Sequence, residues 1–542
     1  MSYHYLRHSV TALAFALLSA CGGSSGSGTA APPPAPAPAP APASVQLTVS
    51  SGAVSRELSS GEVVEVVVAG SWAGSNLPSS GQVYLDVNDP TVGLATPKPI
   101  LMGPSSAFQA VLYTMASLPT GNRSGTIELR ACKDAVCSAI YPGSTVSVPY
   151  TFKVNASMDW EMHQRDARHS GHVPITLDPS NFSFAWKWQR PPDSEPLGGI
   201  NPVVTGNNKV YLSTDVYFGE GALYALAESD GSEQWRRSLG RVPALGPPAV
   251  GKGRVYAAVT GQEDTALWSF EAATGNFVYK SPFEGQWPNV MAPTIQGDRV
   301  FTGAGYSGGS TYAFLTDGGA RSWTHGSGGV WDMFTPAVDD NFVYHHNGLG
   351  LFIIDRASGV TVRSIGDPFG KNAGRSYHGA PLLGGRKNAI AFSGGAFSGR
   401  AGSNTEQFDQ RVLSSFNLES QTFEWASANS YLTAPAVAKG VIYAARNAPM
   451  ALDAIDETTG KVLWSWTPSG TQETEFHRNI VVTDNLLFVS TDQSVVALDL
   501  ATRAAVWRYP KPGMLAISAG RTLYIATGAR TSDGGLVAIR LK

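Results

Sequence analysis

One phrase recurs through the last two thirds of the chain and restricts its fold more than any other feature. Over residues 454–464 it reads Ala-Ile-Asp-Glu-Thr-Thr-Gly-Lys-Val-Leu-Trp: an apolar strand, a tight turn and a second strand ending on an indole. Copies place Trp235, Trp323, Trp425 and Trp507 after turns at Asp230-Gly231, Gly318-Gly319, Ser420-Gln421 and Thr502-Arg503. Weaker copies place Tyr279 after Thr274-Gly275 and Arg363 after Ser358-Gly359. From Trp235 through Tyr279, Trp323, Arg363, Trp425 and Trp464 to Trp507, successive spacings are 44, 44, 40, 62, 39 and 43 residues. Four short strands and their turns take about that length, and a chance scatter of tryptophans has no reason to keep it. The glycine supplies a positive φ that other residues adopt only at a cost. The aromatic that follows is placed to lie over the neighbouring unit and seal the gap between sheets.

A second phrase opens each unit. Asn201-Pro202-Val203-Val204, Pro247-Pro248-Ala249-Val250, Ala292-Pro293-Thr294-Ile295, Thr335-Pro336-Ala337-Val338, Ala380-Pro381-Leu382-Leu383 and Ala434-Pro435-Ala436-Val437 all carry the proline. Asn479-Ile480-Val481-Val482 and Ala516-Ile517-Ser518-Ala519 stand in the same place without it. These are eight innermost strands, yet only seven complete docking phrases follow them, because the last copy breaks off after residues 536–539. The missing outer strand is expected at Phe184-Ala185-Trp186-Lys187-Trp188, with Trp186 as its docking aromatic. Joining the two ends in one composite blade leaves no sheet edge open at the closure.

These phrases resemble the tryptophan-docking repeats of the pyrroloquinoline-quinone (PQQ) family of β-propellers, over about residue 160 to the end. The resemblance implies an all-β, eight-bladed PQQ-type propeller over residues 155–542. Residues 160–171, Trp-Glu-Met-His-Gln-Arg-Asp-Ala-Arg-His-Ser-Gly, resemble the segment that leads into the first blade in many exported members. His163 and His169 within it are read as packing and hydrogen-bonding groups rather than ligands.

The remainder of the chain reads as an export signal, a spacer and a small domain. Arg7 and His8 precede an apolar run over residues 10–18, too short to span a bilayer as a mature helix. The run ends in Leu18-Ser19-Ala20-Cys21-Gly22, which resembles the lipobox of bacterial lipoproteins. That resemblance implies a signal peptide over residues 1–20, lipidated Cys21 as the mature N-terminus and, with Gly22 following, an outer-membrane anchor on the periplasmic side. Residues 21–44 are Gly/Ser-rich and then Pro-rich, a composition that buries no core and holds an extended spacer. Short alternating strands over residues 45–154 suit an immunoglobulin-like β-sandwich of roughly seven strands. Cys132 and Cys137 stand beside a strand in an exported chain, so a local disulfide is expected, with a reactive or metal-binding pair as the rival.

Function is less legible. Charged residues make up 15% of the 542 and the net charge is −3, so nothing marks a nucleic-acid or anionic-lipid binder. Residues just before each innermost strand should line one mouth of the central channel. They are Asn289, Trp331, Asp332, Tyr377, His378, Tyr431, Phe476, His477 and Arg478, an aromatic and polar set that suits a ligand or partner surface and equally suits ordinary channel lining. Tyr217, Phe218 and the insert 397–410 are further candidate contact loops, whereas His345 and His346, adjacent on a strand, point to opposite faces and make a poor metal pair.

The family resemblance offers two readings. One is a quinoprotein dehydrogenase, which would hold PQQ with calcium; such enzymes carry an adjacent Cys-Cys pair, and this chain has none. The other is a noncatalytic envelope propeller, similar to the lipoprotein subunit of the outer-membrane β-barrel assembly machinery. This second reading is preferred: a monomeric scaffold with no cofactor or metal, binding an envelope protein. Glycan or ligand recognition is a third.

Overall fold

The computed structural model describes residues 41–542 apart from 51, 80, 92, 116, 157, 192–198, 286, 287, 289, 305–308, 331–334, 370–374, 377–379, 394–410, 470, 471 and 528–533, and apart from the side chains of 59, 329, 330, 375, 376 and 478. Among the described residues the structure is nearly all β, the one helical element being a 3-10 turn at Pro179–Asn181.

Residues 44–155 form two sheets. One takes the order Ser44–Val49, Glu65–Ser75, Ala107–Thr114, Leu94–Ala95; the other Val54–Ser59, Val146–Asn155, Gly121–Cys132, Tyr84–Asn88, Ile100–Leu101. Alternate residues turn inward, and Val66, Val68, Leu85, Leu112, Ile127, Leu129 and Phe152 are fully buried between the sheets. That makes nine strands where the sequence suggested about seven; the two extra are the two-residue strands Leu94–Ala95 and Ile100–Leu101.

The rest is a ring of eight four-stranded antiparallel sheets. Blade 1 consists of Val204–Gly206, Lys209–Ser213, Tyr217–Ala227 and Glu233–Ala244. Blades 2 to 7 repeat that order outward from Ala249–Gly251, Thr294–Gln296, Ala337–Val338, Leu382–Leu383, Ala436–Ala438 and Phe476–Val482. Blade 8 takes Met514–Ile517, Thr522–Thr527 and Gly535–Arg540 from the end of the chain and Ser183–Gln189 from before blade 1. The closing pair is antiparallel, from Ser183 opposite Arg540 to Gln189 opposite Gly535.

One cross-strand row explains how the blades dock. In blade 1, Tyr211 lies opposite Ala225 and Ala225 opposite Trp235. The same row reads Tyr256-Ser269-Tyr279, Phe301-Ala313-Trp323, Ile390-Ser415-Trp425, Tyr443-Ala454-Trp464, Phe488-Ala497-Trp507 and Tyr524-Ala538-Trp186 in blades 2, 3, 5, 6, 7 and 8. The small central residue leaves room for the outer aromatic to lean onto the next blade. The indole N–H groups of Trp186, Trp235, Trp323 and Trp425 donate across their seams to the carbonyls of Glu228, Ala272, Arg356 and Glu457 at 2.9, 3.1, 3.0 and 3.2 Å. Tyr279 hydroxyl donates to Leu315 O at 3.3 Å. Each ring covers a turn glycine of the next blade, Gly231, Gly275, Gly319, Gly359 or Gly460, whose φ lies between +68° and +74°. A Cβ on any of these glycines would stand 2.3 to 2.6 Å from the ring, so the residue is fixed both by backbone conformation and by contact. Trp464 is only half-buried, stacked under the Arg503 guanidinium, and Trp507 meets Phe182 edge to face at 5.6 Å.

The lead-in segment closes the channel. Thr205, Val250, Val338, Leu383, Val437 and Val482 donate backbone N–H groups to the carbonyls of Trp160, Glu161, Ala167, Arg168, Ser170 and Gly171 at 2.7 to 2.9 Å. Ile295 N–H meets Met162 Sδ at 3.4 Å, and Ala519 N–H meets Asp159 Oδ1 at 3.1 Å. Thirteen residues, 159–171, thus touch the inner strands of blades 1 to 7 and the turn that follows the inner strand of blade 8, in ring order. His163 and His169 sit edge to face inside this plug at 5.2 Å, and His169 Nδ1 lies 2.7 Å from Pro381 O. Burial holds the imidazoles well below their ordinary range, His163 at about 3 and His169 at about 4.

Candidate functional site

The innermost strands all begin on one face of the ring, the mouth face, where the loops between second and third strands also open. Blade 1 stands out there. Its third and fourth strands run 11 and 12 residues, against six each in blade 2, so the hairpin projects beyond the ring. Its mouth-face end, away from the turn at residues 228–232, carries Tyr217 and Phe218, 43% and 49% exposed, with their rings edge to face at 4.9 Å. Phe218 has φ +55°, a conformation that costs an aromatic residue about 1 kcal/mol or more. Strain and exposure together in a large apolar side chain mark a site rather than a core.

The hairpin and the next blade enclose a cavity of about 530 Å³, lined by Tyr217, Phe218, Arg241, Pro243, Glu263 and Asp264 among others. Gly261 permits this approach, since a Cβ there would come within 2.5 Å of the Pro243 ring. Lys280 pairs with Asp264 at the rim and covers Trp268, its ammonium 4.6 Å from the ring centroid. Two exposed rings, proline and mixed charge make a surface for apolar and cation–π contact with another molecule.

The other sequence-predicted residues fall differently. Cys21, Asn289, Trp331, Asp332, Tyr377, His378 and the insert 397–410 lie outside the described residues, as does the side chain of Arg478. Tyr431 does not line the channel. It is fully buried, and its hydroxyl donates to Asp453 Oδ2 at 2.9 Å. Arg446 Nε, Asn429 Nδ2 and Ser465 Oγ donate to the same carboxylate at 2.9, 3.0 and 2.6 Å. Burial pushes the Asp453 carboxyl up, but these hydrogen bonds and the Arg446 charge outweigh it and hold the group below its usual range. Burial, then the Asp453 charge, raises the Tyr431 phenol. Phe476 is likewise fully buried, packed at 6.1 Å from Trp466. His477 is half-buried, 3.4 Å from Glu475. His345 and His346 are buried on separate partners, Thr311 at 2.8 Å and Asp367 at 3.1 Å. Cys132 and Cys137 are joined in a disulfide beyond the end of a sandwich strand. Asp86 completes with them the one group of three metal-ligand types within reach of a common point among the described residues, and its two sulfurs are bonded to each other.

With fold and surface in view, the family follows. The family described as outer membrane protein assembly factor BamB matches residues 185–279, 219–454 and 410–542. The chain belongs to that family. Its PQQ-type repeats are the eight blades described above. No curated protein matches the sequence significantly. Among solved structures, a europium-containing methanol dehydrogenase is 12% identical with a TM-score of 0.51, over 71% of this chain and 98% of that one. BamB from Moraxella catarrhalis is 16% identical with a TM-score of 0.46, over 66% and 99%. The designed protein Ika8 is 11% identical with a TM-score of 0.46, over 66% and 99%. At such identities the methanol dehydrogenase shares the fold alone. Among the described residues no helix is long and apolar enough to cross a membrane.

Proposed function

We propose that this chain is a lipid-anchored outer-membrane protein of the periplasmic side, and that it works as a noncatalytic scaffold presenting the blade 1 hairpin to an envelope protein. The observation that carries the proposal is the exposed Tyr217–Phe218 pair, held in a strained backbone over a cavity. Aromatic anchors at a rimmed pocket supply binding energy out of proportion to their number. Membership of a family of outer-membrane assembly factors favours a protein partner. Cys21 in its lipobox and the Pro-rich residues 32–42 supply the anchor and the spacer, and the N-terminal sandwich reads as an Ig-like module between spacer and ring. The three cysteines, Cys21, Cys132 and Cys137, include no adjacent pair of the kind a quinoprotein dehydrogenase uses.

Replacing Tyr217 and Phe218 together by serine should abolish co-purification of a partner from detergent-solubilised envelope while leaving the melting temperature unchanged. Retained capture would refute the surface. Cys21→Ala should move the protein from membrane to soluble periplasm. Adding PQQ with Ca²⁺ should leave the melting temperature where it is, whereas a saturable rise accompanied by dye-linked alcohol oxidation would make the chain an enzyme.

A further inference from the structure

Among the described residues, the outer strand of seven blades carries an aromatic that docks on the next blade and that of blade 4 does not; the seam between blades 4 and 5 is packed instead by Ile353, Phe416, Leu418 and Phe423. Its row reads Tyr344-Ile353-Arg363, so the docking aromatic is replaced by arginine and the small central residue by isoleucine. Arg363 is exposed, on an outer strand whose first four residues all face solvent. Where docking would occur, a cavity of about 440 Å³ opens between the blades on the face opposite the mouth, lined by Phe342, Tyr344, Leu383, Lys387, Leu418 and Glu419 among others.

Two of those walls are the fixed parts of a docking site. Tyr344 is the counterpart of Tyr211, Phe301 and Tyr524, each of which packs against a docking indole at 5.8 to 5.9 Å. Leu418 donates its N–H to Lys387 O as Ala272 does to Gly253 O and Arg356 to Asn341 O, so its carbonyl is the counterpart of those that accept an indole N–H elsewhere. Other seams are also bridged on this face by a charged side chain, such as Arg356, which reaches Gln296 O at 3.2 Å. Leucine at position 418 has no such reach.

We propose that the seam between blades 4 and 5 takes a tryptophan side chain from a partner polypeptide. The ring itself specifies the occupant: counterparts of these walls accept an aromatic in seven neighbouring seams, and the corresponding carbonyl takes an indole N–H in four of them. Gln421 stands at the turn position that is glycine under five of the docked rings, as Arg503 does beside Trp464. The cavity has the size of a small-ligand pocket, and the exposed Lys387–Glu419 pair at its rim offers polar contacts to the partner's backbone. The spacer over residues 22–43 contains no aromatic residue, so it cannot supply the ring. This site stands apart from the Tyr217–Phe218 surface, on the opposite face, and either can fail without the other.

The test uses the full chain and the acetylated, amidated peptide Gly-Lys-Val-Leu-Trp-Ser, which copies residues 460–465 around a tryptophan the ring already docks. Calorimetric titration should give saturable binding, at least tenfold tighter than that of the peptide with leucine in place of tryptophan. The double variant Ile353→Ala, Arg363→Trp restores the docking row and should lose peptide binding with its melting temperature unchanged or raised. Leu418→Trp, which fills the cavity from blade 5, should lose it too, while Arg363→Ala should keep it. Equal binding of the two peptides, or undiminished binding by a folded variant with the seam filled, overturns the proposal. Self-association that vanishes when the seam is filled would make the occupant a second copy and overturn the partner assignment.

Discussion

Gly460 carries the docking logic in its simplest form. Its φ is +68°, and a Cβ built on it would lie 2.4 Å from the Trp425 ring. Gly440 has a similar φ, +78°, with nothing within 4 Å of its Cβ position. Alanine at Gly440 therefore incurs only the left-handed backbone term, about 1–2 kcal/mol. Alanine at Gly460 incurs that term plus overpacking against a buried indole, about 1–3 kcal/mol more. The expected losses are about 1–2 kcal/mol for Gly440→Ala and about 2–5 kcal/mol for Gly460→Ala, read from urea midpoints of the ring followed by far-UV circular dichroism. Combining Gly460→Ala with Trp425→Leu isolates the contact, since the clash requires the ring. The double variant should be more stable than the sum of the single losses by about 1–3 kcal/mol. Equal losses at the two glycines, or strict additivity of Gly460→Ala with Trp425→Leu, would show that the indole does not rest on the glycine.

Trp425→Ala should cost about 3–5 kcal/mol, and Trp464→Ala less, because Trp464 is half-buried and its indole already shares its face with Arg503; urea midpoints of the two variants settle the order. Truncation after residue 534 removes the strand Gly535–Arg540 that joins Thr522–Thr527 to Ser183–Gln189, and should leave a protein without the parental cooperative transition, detectable by calorimetry. Acidification tests the plug. Because His169 titrates at about 4 when folded and near 6.5 when unfolded, the unfolded chain binds more protons between those values. Its contribution is complete above pH 6.5 and is lost as pH falls toward 4, about 3 kcal/mol in all. Melting temperature should therefore drop over that window less steeply in His169→Asn than in the parent; parallel curves would contradict the burial of the ring.

The ring was legible because its information is periodic. A docking aromatic and a turn glycine every 40 or so residues define a blade, and the shortage of one outer strand located Trp186 and its neighbours at the closure. The lead-in segment was legible as a packed segment before the first blade, but its blade-by-blade contacts were not, because they run through the backbone carbonyls of Trp160, Glu161, Arg168 and Gly171, which side-chain identity does not announce. Tyr431 and Phe476 were misplaced for a different reason. Successive strand residues face opposite ways, so an error of one position moves a side chain from the channel into a seam. Tyr217 and Phe218 were visible as an apolar pair in a loop. Arg241, Glu263 and Asp264 were not, since they reach the same cavity from the paired fourth strand, more than 20 residues on in sequence, and from the next blade. The weak copy at Arg363 was plain in the sequence, but only the position of Tyr344 and Leu418 across the seam gives it meaning.

The scaffold proposal meets its most direct test in cross-linking from the mouth-face end of the blade 1 hairpin. With a photoreactive benzoylphenylalanine at position 218 of the full chain, produced in its own cells and irradiated, a discrete adduct with one envelope protein should form. The same probe at Val360, 63% exposed on the opposite face, should give no such adduct. An adduct from position 218 that also requires Tyr217 would establish the mouth-face surface of blade 1 as the contact. Absence of any adduct from 218, or the same adduct from both positions, would contradict it.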